Sequence, residues 1–241
     1  MLTGMLIVLL MAFSTDGKDV NSSMWNAVKK GDADKVKVLI KQGADINAQD
    51  EDGDTPLMIA SYYGQLEVVR ALLNAGADVS STHKYGGTAL ISAAAGGHVQ
   101  ILKALIEKGA EVNAKTYDGR TPLMLTAMNY GAPRVEIINT LLAGGADINA
   151  KDMNGYTALM YAVDFPPPPP MPPPDSRAEL NTQFEKNQMA VGSQREVIKA
   201  LLAGGADVQA KADDGNTALM IAEHYGQAEI IRMLKQAGTR K

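Results

Sequence analysis

Asp52-Gly53-Asp54-Thr55-Pro56-Leu57-Met58-Ile59-Ala60, then Gly64, Glu67-Val68-Val69-Arg70-Ala71-Leu72-Leu73 and Gly76-Ala77-Asp78 form the stretch that decides the fold. Thr55 before Pro56 is the chemistry of a helix start. The threonine oxygen accepts from the first turn, and proline presets φ where no amide partner is needed. Leu57, Met58 and Ala60 line one side of a short helix that Gly64 stops. Val68, Val69, Leu72 and Leu73 recur at helical spacing in a second helix, and Gly76 suits the left-handed position that ends it. Two helices this short cannot bury their apolar faces on each other alone, so the unit requires neighbours.

Those neighbours are present. Thr55, Thr88 and Thr121 stand 33 residues apart, and Thr157 and Thr217 continue the series. The helix-ending glycine recurs at Gly43, Gly76, Gly109, Gly145, Gly205 and Gly238. A fixed internal period of this size marks a stacked array. With its Asp-x-x-Gly-x-Thr-Pro-Leu start, mid-unit glycine, paired leucines and Gly-Ala-Asp-Val-Asn-Ala end, the unit resembles the ankyrin repeat. The resemblance spans roughly Asn21 to Gly238. It implies an all-α fold, an ankyrin-repeat solenoid of stacked helix-turn-helix units joined by short β-hairpin-like loops. One departure recurs: Met58, Ile91, Met124, Met160 and Met220 stand where the family has histidine. The imidazole hydrogen bond is then expected to be lost, with an adaptable apolar side chain filling its place.

A net charge of −4 and a pI near 5.4 argue against nucleic acid as the main partner. With no cysteine, disulfides, thiol catalysis and thiolate metal sites are excluded. In a linear array each unit touches only its neighbours, so 241 residues need no division into globular domains.

Residues 1–14 contain the run Met5-Leu6-Ile7-Val8-Leu9-Leu10-Met11-Ala12-Phe13, too short for a stable membrane span but suited to a signal peptide. Ala12 and Ser14 are small residues with the spacing of a cleavage site, which points to an exported protein; if the run is no signal, the protein is cytoplasmic. Residues 15–20 read as a linker and 21–238 as six repeats of a monomer, the first with Ser22 in the helix-start place. Lys29, Lys30, Lys35, Lys37 and Lys41 give that first unit the polar outer face a terminal repeat needs. The fourth repeat is three residues longer, around Ala127 to Pro133, and Thr126 replaces an alanine of the other units. In the fifth, the 60-residue step from Thr157 to Thr217 implies an insertion of about 27 residues, placed at 165–193. It opens with prolines 166–170 and 172–174, which form an extended rod of about 3.1 Å per residue.

His83, His98 and His224 fall in different repeats, and the ankyrin pattern itself places histidine at His98. No triad spacing, phosphate loop or metal-ligand cluster is legible, and the Asp-Gly pairs lack the ligand spacing of a calcium loop. No enzymatic activity and no cofactor or metal are expected. The tyrosines are more informative. The resemblance implies that Tyr85, Tyr117 and Tyr156 at the hairpin tips, and Tyr62, Tyr63, Tyr130 and Tyr225 at the ends of first helices, face the concave partner-binding groove. Only Tyr161 of the eight falls in a packing position. Tyrosine offers large contact area and a polar tip at low entropic cost. The groove is therefore expected to bind another protein, with Asp52, Asp54, Lys84, Arg120, Asn129 and Met153 completing it. A second reading takes Asp164-Phe165-Pro166-Pro167-Pro168-Pro169, which looks like the acidic-Phe-Pro-Pro-Pro-Pro ligand of EVH1 domains. The array would then carry a polyproline ligand for an adaptor.

Overall fold

The computed structural model describes residues 17–128, 134–164 and 194–239. The apolar run 5–13, Asn129, Tyr130, Pro133 and the whole expected insertion 165–193, with Phe165 and Pro166 to Pro169, lie outside them. The described chain is helical, with no strand assigned. Its elements are α1 (Gly17–Lys30), α2 (Ala33–Lys41), α3 (Pro56–Tyr62), α4 (Leu66–Asn74), α5 (Ala89–Gly96) and α6 (Val99–Glu107). They continue as α7 (Pro122–Met128), α8 (Arg134–Ala143), α9 (Ala158–Val163), α10 (194–203), α11 (Ala218–His224) and α12 (Ala228–Gly238). Odd-numbered helices stack on one another from α1 to α11, and α2, α4, α6 and α8 form a second layer behind them. The apolar seam between the layers holds Leu57, Met58, Val68, Val69, Leu72, Leu90, Leu102, Leu123, Ile138, Leu159, Val197 and Ile221, all buried.

Each first helix starts as its sequence requires. The hydroxyls of Thr55, Thr88, Thr121, Thr157 and Thr217 accept from the amides of Met58, Ile91, Met124, Met160 and Met220 at 3.3–3.4 Å. The methionines correct one expectation. The amides of Thr55 and Thr121 donate to Sδ of Met58 and Met124 at 3.5 Å, so a weak thioether acceptor partly replaces the family's imidazole. Thr126, fully buried, satisfies its hydroxyl by donating to Pro122 O at 2.8 Å.

Gly43, Gly76, Gly109, Gly145 and Gly205 all have φ between +85° and +92°, the left-handed turn after a second helix. Ala77 N donates to Leu72 O at 3.0 Å behind Gly76, closing that turn. Gly238 does not take this role, because α12 runs on through it to Thr239. Ser22 likewise lies inside α1, which starts at Gly17, so it caps nothing and the helix reaches back into the stretch expected as linker.

Two hydrogen-bonded ladders fix the pitch of the stack. Asn47, Asn113 and Asn149 accept through Oδ1 from the amides of Asp78, Asp147 and Asp207 in the next unit, at 2.8–2.9 Å. At the hairpin tips, the amides of Lys84, Tyr117, Met153 and Asp213 donate to the carbonyls of Asp52, Tyr85, Asp118 and Asn154 at 2.9–3.1 Å.

Candidate functional site: a groove with two unlike ends

The hairpin tips and the ends of the first helices border one face of the stack. At its N-terminal end, α3 finishes in Tyr62 and Tyr63, which are 53% and 64% exposed. Their rings stand edge to face, 5.3 Å between centroids. Gly64 follows with φ +74°, and a Cβ there would fall 2.4 Å from the imidazole of His98. That imidazole, 36 residues on, donates Nε2–H to the Tyr62 carbonyl at 2.9 Å. His98 therefore pins the backbone that carries both tyrosines, a structural role as the sequence suggested.

Beside them opens a groove of about 730 Å³ lined by Lys29, Asp54, Met58, Ile59, Tyr62, Tyr63, His83 and Ser92. Burial, more than any other influence, holds the Asp54 carboxyl above the usual carboxylate range. His83 keeps its orientation because Nδ1 accepts from Tyr85 N at 3.0 Å. On the rim, Lys84 pairs with Asp52 of the preceding hairpin and lies 5.1 Å from the Tyr85 ring centroid. The hydrogen bond from Lys84 draws the Asp52 carboxyl down. Tyr85, Tyr117 and Met153, at 64%, 69% and 70% exposure, line successive hairpin tips.

The C-terminal end is wired together. Tyr161 Oη donates to Asp152 Oδ2 and accepts from Arg120 Nε at 3.1 Å, and Arg120 also pairs with Asp118 at 3.1 Å. Asp152, only 8% exposed, accepts through Oδ1 from the amides of Asn154 and Tyr156 at 2.9 and 2.8 Å. Burial and then the bond to Asp152 push the Tyr161 phenol up to about 12. Tyr156 lies tilted on Tyr161 at 5.3 Å, and its phenol is raised by burial and by the charges of Asp164, Asp214 and Asp152. Tyr225 donates its hydroxyl to Asp164 Oδ1 at 2.9 Å, and Gln227 Nε2 reaches Val163 O at 3.2 Å.

The structure thus places Asp54, Tyr62 and Tyr63 around one groove, Asp52, Lys84, Tyr85, Tyr117 and Met153 along the tips, and Arg120, Tyr156 and Tyr225 in or against the internal network. Sequence reasoning missed His98, His83, Ile59 and Asp152 as parts of this face. Asp152 was signalled only by standing where Asp50 stands in its own hairpin; the reach of His98 to Tyr62 has no local signature. Among the described residues no three His, Asp or Glu side chains gather as a metal would need, and no helix is long and apolar enough to cross a membrane.

The comparison with protein families agrees with this architecture. The family model for ankyrin repeats in three copies matches residues 24–116, and the one for a single ankyrin repeat matches 118–153 and 214–239. No curated protein gives a match. With repeated helix pairs, threonine-capped first helices and left-handed glycine turns in the same register as those matches, the chain belongs to the ankyrin repeat family.

Proposed function

We propose that this protein is a non-catalytic binding module whose partner protein docks on the N-terminal end of the groove, with Tyr62 and Tyr63 as its central contacts. Ankyrin repeats are protein–protein interaction modules. The observation that carries the assignment to this end is the pair of largely exposed tyrosines beside a groove of about 730 Å³. Aromatic anchors next to a concavity are where interface energy concentrates. Tyr85, Tyr117 and Met153 extend the contact along the tips, and the Asp52–Lys84 pair contributes specificity more than affinity. The alternative, a polyproline ligand beginning at Asp164, has less support, because the Asp164 carboxylate already holds the Tyr225 hydroxyl.

The test is crosslinked capture of partners by the full chain, its Y62A/Y63A variant and a variant with Pro167 to Pro170 replaced by Gly and Ser. Capture lost in the tyrosine variant and kept in the proline variant is expected; the opposite pattern would assign function to the polyproline segment.

A further inference from the structure

We propose that the groove beside Tyr62 and Tyr63 receives a basic side chain, arginine or lysine, of the partner protein, with Asp54 as its counter-ion. The inference rests on the docking reading above and names the chemistry of what docks.

Asp54 carries it. Its carboxylate is partly buried on the groove wall, and no hydrogen bond reaches it from the described residues. Its partial burial already disfavours the charged form, and a cation placed beside it would offset that. No surrounding cation pairs with it directly. Asp50 and Asp52 act on Asp54 unfavourably; Lys84 acts on it favourably, but its ammonium is paired with Asp52 and makes no hydrogen bond to Asp54. His83 lines the same groove and acts favourably on Asp54, but makes no hydrogen bond to it. Lys29 lines the groove as well, is exposed, and forms no ion pair with Asp54. Hence the groove wall holds a partly desolvated carboxylate with no direct ion pair or side-chain hydrogen bond among the described residues.

The aromatic walls select the same kind of guest. Tyr62 and Tyr63 lie edge to face and leave ring surface open to solvent. A cation within about 6 Å of a tyrosine face is attracted by the ring quadrupole, more strongly when desolvated. Met58 and Ile59 complete the lining with apolar surface against which the methylenes of arginine or lysine can lie. An acidic or purely aliphatic side chain would leave Asp54 repelled or uncompensated.

The test titrates the full chain with n-butylguanidinium, n-butylammonium and the neutral isostere n-butylurea, following the Tyr62 and Tyr63 ring resonances and the Asp54 carboxyl carbon by NMR. Saturable shifts at these three residues are expected with a cation and not with butylurea. D54N should weaken binding at least ten-fold; Asp54→Ser, a second variant, should do the same. Binding should also fade as pH falls through the Asp54 titration. Whichever of the two cations binds tighter identifies arginine or lysine as the guest. Equal binding of butylurea, or an unchanged affinity in both Asp54 variants, overturns the inference. In partner capture, survival in D54N with loss in Y62A/Y63A defeats the cation while leaving the groove. Survival in both defeats the groove itself.

Discussion

Tyr62 and Tyr63 turn their rings to solvent and make no hydroxyl hydrogen bond within the described protein, whereas Tyr161 and Tyr225 both donate to carboxylates of their own chain. Tyr225 ends its first helix as Tyr63 does, whereas Tyr161 lies inside its own, at a packing position. What differs is the company. Asp152 and Asp164 stand beside the later pair, while Asp54 stands beside the earlier pair with no donor on it. A phenol engaged internally rigidifies the stack and is unavailable to a partner without breaking that bond. An unengaged one contributes little to folding and keeps its contact area for binding. Under the proposed function, the C-terminal end is scaffold and the N-terminal end interface.

Asp152→Ala should test the scaffold half most severely. It strips the acceptor from two backbone amides and one phenol at a buried site, and loss of about 2–4 kcal/mol is expected from urea midpoints. Asp50 also accepts from two amides, those of Asp52 and Asp54 at 2.9 and 3.0 Å, but is exposed. Water can replace it, and Asp50→Ala should cost about 1 kcal/mol. Equal losses would erase the distinction between the two ends. The interface half is tested by Y62A/Y63A, expected to weaken partner binding by about 2 kcal/mol or more while shifting the urea midpoint by no more than a typical surface change of about 0.5 kcal/mol per site.

Tyr161 sharpens the comparison through pH. Its phenol titrates near pH 12 in the fold against a usual value of 10.0, so the folded protein holds this proton more tightly than the unfolded chain. The corresponding stability is fully present below pH 10 and lost as pH rises through 12. Phenolate absorbance should show a late-titrating tyrosine that disappears in Y161F. The variant's stability should also fall less steeply between pH 10 and 12. A wild-type titration in which every tyrosine ionises together near 10 would mean the Asp152 bond is not held in solution.

Much of this fold could be read residue by residue, because threonine caps and left-handed glycines act within a few positions of themselves. Two of the misreadings came at the ends. No Thr-Pro pair stands in the sequence before Gly17, so the beginning of α1 there had no marker and Ser22 was assigned a role it does not have. Gly238 carries the same residue type as the turn glycines, yet α12 continues through it to a C-cap at Thr239, so residue type alone did not mark the turn there. The site was legible only as positions. That Tyr62 and Tyr63 are exposed follows from the repeat register. That Tyr161, nine residues from Asp152, would bond to it depends on how a hairpin folds onto the next helix, and the 36-residue reach of His98 on how two units stack.

The smallest effect concerns the methionines. Met58 and Met160 are equally buried at 1%, and both follow a capping threonine by three residues. Only Met58 also accepts from its threonine's amide through sulfur. Leucine conserves volume at either site, which should limit the packing cost to below about 1.5 kcal/mol. It cannot accept a hydrogen bond, so M58L should be the less stable by about 0.5 kcal/mol, the scale of a weak sulfur contact. Paired urea melts of M58L and M160L read this difference directly. Indistinguishable midpoints would mean that the thioether fills space without replacing any of the imidazole's bonding. A resolved gap would show that the groove floor at Met58 is held by that bond, tying the first turn of α3 to the helix whose far end carries both tyrosines.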